Sequence, residues 1–278
     1  IVLLQRLLSS IVLFFFLFLI FKSIFFLKLL LFHTLSIFSI WEFFRILNLK
    51  KRDENSNNEE MNNILLTRTK NNFFEYTLIF FVQIILFLFH ANHINETLYL
   101  LSIVSFFLVC LFFKDFLSFV GCVYLTTPFF FLNFLNLHEL YFILTLIFII
   151  TISSDVGGYI FGKSLKGPKL IRAISPNKTW SGFLGAIFFS ISSIFLFTST
   201  NEVTQLVCLT IFFSVGCQTG DIIESYVKRK IKIKNSGGLI PGHGGILDRL
   251  DSFYLLTNLF MLLYIFNFDL YKIFDLNI

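Results

Sequence analysis

Apolar runs of about twenty residues follow one another along the chain with almost no charge inside them, and about twenty is the length an α-helix needs to cross the hydrocarbon core of a bilayer. In lipid, backbone N–H and C=O groups must be paired within the protein, which leaves helices or a closed barrel. Barrel strands alternate polar and apolar residues, whereas these runs are apolar all round. Charged residues make up 14% of the 278 and hydrophobic ones 56%, against about 25% charged in a soluble domain. The chain is therefore expected to be an all-α, polytopic integral membrane protein. Its 42 Phe suit lipid-facing positions. Cys110, Cys122, Cys208 and Cys217 sit in apolar runs without a CxxC pair and are read as small hydrophobes.

About nine spans are expected, at roughly 3–21, 24–42, 73–90, 97–113, 115–135, 139–160, 182–199, 203–219 and 252–268. The first has Arg6 and an apolar stretch like a signal peptide, but no small-residue cleavage site precedes Lys22, so it is kept as a span. The chain begins with Ile1 rather than Met, as a fragment or an unusual start codon would. This arrangement puts nearly all Lys and Arg on one side, leaving only Lys22, Lys28 and Lys272 on the other, and the basic side is read as cytoplasmic. The net charge of +5 is thereby concentrated where anionic lipid heads and nucleotide phosphates occur.

Residues 1–150 hold the N-terminal spans and a polar, Asn-rich linker near 50–72 that is assigned no chemistry. Residues 151–278 hold the expected catalytic region, with cytoplasmic loops 161–181 and 220–251. No internal repeat or separate soluble domain is found.

Asp221, Ser225, Lys228 and Arg229 stand at i, i+4, i+7 and i+8, on one helix face at the membrane interface, with Glu224 at its border. A carboxylate there must be paired or bind a metal; a solvated, salt-bridged helix end accounts for the spacing equally well. Pro241-Gly242-His243-Gly244-Gly245 follows, and its glycines would let backbone N–H groups approach an anion ahead of a new helix. That helix carries Asp248, Asp251 and Ser252 on one face, beside Arg249. Asp221 and Asp248, on different helices, could converge on one Mg²⁺ site, with room for a second cation. His243 is expected to contact a phosphate or act as an acid or base.

Further upstream, Asp155 lies toward the cytoplasmic end of an apolar span and is a candidate for that reason alone. Ser175-Pro176 looks like a helix entry, so capping is the plain explanation for Ser175 and Thr179. Lys178 is either a phosphate-binding point charge or a positive-inside anchor. Lys230 and Lys232 are expected on a lipid-head-facing surface.

The stretch from Ser225 to Asp251, with Ser-x-hydrophobic-Lys-Arg leading to Pro-Gly-His-Gly-Gly-hydrophobic-x-Asp-Arg-hydrophobic-Asp, resembles the phosphatidate cytidylyltransferase family at the same spacing. Gly220-Asp221 and the run at 175–180 are similar to it too, so the likeness covers roughly residues 150–255. Asn235 departs from an expected Asp, Ser181 from Glu and Gly158 from Ala. The resemblance implies that CTP and phosphatidic acid give CDP-diacylglycerol and pyrophosphate, with Mg²⁺, in a homodimer whose metal is held at Asp221 and Asp248. It implies a bacterial plasma (inner) membrane with the active site facing the cytoplasm, and no nucleic-acid partner.

On this expectation Lys178, Lys228, Arg229 and Arg249 offset phosphate charge. Ser225 hydrogen-bonds a phosphate or a metal ligand. Ser175, Thr179, Lys234, Asp155, Gly242, Gly244 and Gly245 join substrate binding, and His243 and Asp251 complete the catalytic set. A CTP-dependent polyprenol or phytol kinase, a catalytically inactive lipid-binding relative, and a transporter using Asp155 and Asp221 are the competing expectations.

Overall fold

The computed structural model describes residues 25–54, 116–137, 140–198, 200–230, 233, 235–237, 244–266, 268 and 270–274. The spans expected at 3–21, 73–90 and 97–113 lie outside them, and helices stand at each of the other six expected spans. Among the described residues the protein is mostly helical. Five helices are long and apolar enough to cross a membrane.

Two compact units partition the chain, one of residues 1–138 with 235–248 and the other of residues 139–234 with 249–278. In the first, α1 (Phe25–Glu54) packs on α2 (Phe116–Leu137). The helices approach closely because Gly121 has no side chain where the Phe43 ring lies. Phe32, Ile40, Leu132 and Leu135 fill the buried seam, and Asn133 meets His33 within it at 3.3 Å. Pro128 inside α2 has no N–H to give to the Tyr124 carbonyl one turn back. The Thr127 hydroxyl donates to the Val123 carbonyl at 2.9 Å and lies 3.5 Å from that of Tyr124.

The second unit begins with α3 (Tyr141–Leu165), followed by a hairpin of β1 (Lys169–Ile171) and β2 (Ser175–Thr179). Then come α4 (Trp180–Phe197) and α5 (Val203–Lys230), and after them α6 (Leu247–Ile265), which starts at the end of the first unit, and α7 (Leu270–Phe274). Gly157 faces the Gly185 carbonyl and Phe189, where an added Cβ would come within 2.7 and 2.5 Å. Gly182 likewise leaves room for the Gly158 carbonyl. These small residues bring α3 and α4 together, which is how helices associate where lipid supplies no hydrophobic drive. Buried serines join three helices: Ser153 to Ser190 at 3.4 Å, Ser190 to Ser214 at 3.3 Å, and Ser214 to Ser154 at 3.4 Å. Deeper in α5, the Phe213 ring stacks on Phe260 at 3.8 Å between centroids.

The hairpin departs from the sequence expectation. Ser175-Pro176 is strand rather than helix entry, with Ile171 paired to Ser175 and Lys169 to Thr179. The extended backbone favoured before proline suits a strand as well as a helix cap; here residues 175–179 pair with β1, and the helix begins at Trp180. Its cap is Thr179, whose Oγ1 accepts the Gly182 N–H at 3.1 Å.

Candidate functional site

A cavity of about 760 Å³ opens among α3, the hairpin, α4 and α5. Its walls carry opposite charges, with Asp155 and Asp221 on the two helices and Lys163, Lys166, Lys169 and Lys178 around the hairpin side. The glycine crossing of α3 and α4 keeps its floor low, since Gly158, Gly162 and Gly182 all line it.

Lys178 reaches in from β2. Its Nζ lies 2.6 Å from Asp221 Oδ2 and donates to the Gln218 carbonyl at 3.4 Å. The other Asp221 oxygen accepts the Ser225 hydroxyl at 3.2 Å, one turn further along α5. Asp221 is thus oriented from both sides while remaining about a third exposed. Across the cavity, the Ser252 hydroxyl donates to Asp155 Oδ2 at 3.5 Å. The rim is stiffened by Lys163, whose Nζ donates to the Tyr159 hydroxyl at 3.3 Å and sits 5.4 Å from the centre of that ring. Lys166 ends α3 with φ 45°, a left-handed cap that costs a non-glycine residue some strain.

Of the residues expected from sequence in this unit, Asp155, Lys178, Thr179 and Asp221 line the cavity, whereas Ser175, Ser225, Lys228, Arg229, Arg249 and Asp251 are not on its wall. Arg229 donates from Nε to the Ile174 carbonyl at 3.2 Å and from a terminal nitrogen to the Ile233 carbonyl at 3.1 Å, which ties the end of α5 to the hairpin turn. Lys228 is buried and lies 3.0 Å from Glu224. Asp251 Oδ1 turns back to accept the Ser252 N–H at 2.8 Å. In the sequence, Lys163, Lys166 and Lys169 carry no signal beyond their share of the cytoplasmic charge. Their common place around one hollow depends on the hairpin fold, which no periodicity announces.

In the first unit, Asp248 Oδ2 accepts the N–H groups of Ser236 and Gly245, both at 2.9 Å. Gly244 adopts φ 89° beside it, where a side chain would be strained and would press on that oxygen. One of the glycine N–H groups expected for phosphate, that of Gly245, is therefore already held by Asp248, and the Leu247 N–H beside it is held by Glu42 at 2.9 Å. Glu42 escaped the sequence reading, although a carboxylate inside an apolar run is a signal by itself. Lys234, Gly242 and His243 lie outside the described residues.

The departures from the family pattern have local accommodations. Ser181 accepts the Gly167 N–H at 3.1 Å and meets Thr179 Oγ1 at 3.0 Å, closing the hairpin onto α4. At Gly158 a methyl group would make only ordinary contacts, at 3.7 Å. Asn235 is exposed. Magnesium takes carboxylate and phosphate oxygens together, and Asp155 and Asp221 offer such oxygens to one cavity, so this pair suits a hard cation in kind. Among the described residues, no three His, Cys, Asp or Glu side chains are grouped to hold a metal by themselves, so further oxygens would have to come from the substrate or water.

The model of the cytidylyltransferase family matches residues 4–267. A phosphatidate cytidylyltransferase of Bacillus subtilis (strain 168) is 43% identical over 120 residues, 41% of this chain and 45% of the relative. The protein of that name in Staphylococcus aureus (strain COL) is 41% identical over 122 residues, 42% and 47% of the two chains. One in Brucella suis biovar 1 (strain 1330) is 40% identical over 112 residues, 38% and 42%. The chain spans less than half the length of each of these curated relatives in its match.

Proposed function

The chain belongs to the cytidylyltransferase family, and from that premise we propose that it is a phosphatidate cytidylyltransferase, converting CTP and phosphatidic acid to CDP-diacylglycerol and pyrophosphate. The observation that carries this reading is the doubly charged cavity in an otherwise apolar helical unit, where Asp155 and Asp221 face four lysines. A triphosphate needs cationic partners, and a divalent cation bound with it needs carboxylates; a lipid phosphate needs the same chemistry within reach of the bilayer.

One oxygen of the lipid phosphate bonds to the α-phosphorus of CTP. The bond from that phosphorus to the α,β-bridging oxygen breaks, and pyrophosphate leaves with the electron pair. The nucleophile is already an anion, so positioning and charge neutralisation dominate, without a strong base. Lys178, held on Asp221 at 2.6 Å, turns to the phosphates when they arrive, and Ser225 keeps Asp221 oriented as its partner leaves. Lys163, Lys166 and Lys169 draw in anionic groups at the rim. Bound Mg²⁺ would neutralise triphosphate charge, and Asp155 and Asp221, the two carboxylates of the cavity, would hold it.

In the same proposal, residues 151–278 carry the chemistry, about nine helices span the membrane, and the protein is a homodimer in a bacterial inner membrane with its site facing the cytoplasm. The test is turnover of labelled CTP by purified protein in mixed micelles with Mg²⁺ and either phosphatidic acid or a polyprenol. Labelled CDP-diacylglycerol with release of pyrophosphate is expected. Phosphorylated polyprenol would move the chain to a lipid kinase, and CTP binding without product would make it an inactive relative.

A further inference from the structure

Glu42 lies in the apolar run of α1 and is fully buried, at 0% exposure. One of its oxygens, Oε2, accepts the Ser236 hydroxyl at 3.1 Å and the Leu247 N–H at 2.9 Å. Those two donors stand on either side of residues 237–246 in the chain, so a single carboxylate oxygen ties Ser236 to the start of α6. The other oxygen, Oε1, has no hydrogen-bond partner. The glycines at either end make room for this group: a Cβ on Gly237 would overlap Glu42 Oε1, and one on Gly245 would overlap Oε2. These two glycines are thus explained by the carboxylate they admit, independently of any phosphate.

A carboxylate is removed from water only where hydrogen bonds replace its hydration, and bonds to a charged acceptor are the strong ones. Pinning both ends of a glycine-rich segment to one atom removes freedom that the segment would otherwise lose on meeting a ligand. We propose that Glu42 is a positioning residue for the reaction, a buried anchor that holds residues 236–237 and 244–247 in place through hydrogen bonds rather than through its charge. This rests on the activity proposed above.

The experiment uses the full chain in lipid nanodiscs, with Glu42→Ala and Glu42→Gln compared by hydrogen exchange of peptides covering 235–248 and by steady-state kinetics. Glu42→Ala is expected to speed exchange there about tenfold or more by local opening. It should lower kcat on the order of 10²-fold through misplacement of the loop, with KM for phosphatidic acid little changed. Glu42→Gln, whose amide oxygen accepts the same two bonds, should bring both back to within a few-fold of the parent. Unchanged exchange and kcat in Glu42→Ala would overturn the proposal, as would a glutamine variant as impaired as the alanine one, which would make the charge the active feature. If Glu42→Ala fails to fold, Ser236→Ala removes one of the two bonds. A few-fold acceleration of exchange is then expected, and none would overturn the anchor. Should the parent protein turn over no phosphatidic acid, the activity falls while the exchange arm still decides whether Glu42 holds the loop.

Discussion

Glu42 and Asp248, in the first unit, each give one oxygen to two donors of the chain itself, three of the four being backbone N–H groups. Asp221, in the second unit, faces an open cavity and is matched by side chains, the Lys178 ammonium and the Ser225 hydroxyl. Backbone donors cannot move away without unfolding the loop, whereas a lysine on a long stem can exchange its carboxylate for a phosphate at little cost. Asp248 and Asp221, of equal standing in the sequence motif, are therefore unequal as sites: Asp248, like Glu42, is bound to the loop's own donors, and Asp221, bound by side chains, is free to change partners.

Replacing Asp221 by Asn should test that distinction most severely. Turnover is expected to fall on the order of 10²–10³-fold, with thermal stability in detergent nearly unchanged because the side chain is partly exposed; near-normal turnover would remove Asp221 from the reaction. Asp248→Asn is the companion measurement. A drop on the order of 10²-fold with hydrogen exchange of the 235–248 loop unchanged would show that Asp248 acts on substrate or metal as well as on the loop, and a drop accompanied by faster exchange would confine it to the loop.

A smaller effect is expected at Lys178. Lys178→Gln should raise KM for CTP about tenfold, the order of one charge-assisted contact, and should weaken the salt dependence of KM. An unchanged KM would make Lys178 a partner of Asp221 only.

The smallest contrast lies in the helix crossing beneath the cavity. Gly157→Ala drives a methyl group against a backbone carbonyl and should lower stability by about 1–3 kcal/mol. Gly158→Ala, one residue along, should change it by less than about 0.5 kcal/mol. Equal thermal shifts for the two would contradict the close approach at Gly157.

The helical membrane character was legible from the apolar runs, because burying a backbone in lipid leaves few alternatives. The expected helix at 203–219 does continue to Lys230 as the charged face at its end implied. Asp221 and Ser225 were paired correctly by their four-residue spacing, since a helix repeats locally. Lys178 and Asp221 could not be paired that way, as 43 positions separate them (221 minus 178) and the hairpin that turns Lys178 inward has only short strands. Arg229 has a partner that the motif does not announce. Its place in the motif suggested phosphate, but the turn carbonyl of Ile174 lies within reach of its guanidinium.

Sequence alone determined the membrane setting, the helical class and the family motif, because each depends on hydropathy over one segment or on residues close along the chain. The tertiary structure decided which carboxylate faces a cavity and which is consumed by backbone, which lysines share a rim, and that Glu42 belongs with Leu247, 205 positions along the chain. Those outcomes depend on which polar groups the fold brings within about 3 Å of one another, and local propensity carries no record of such meetings.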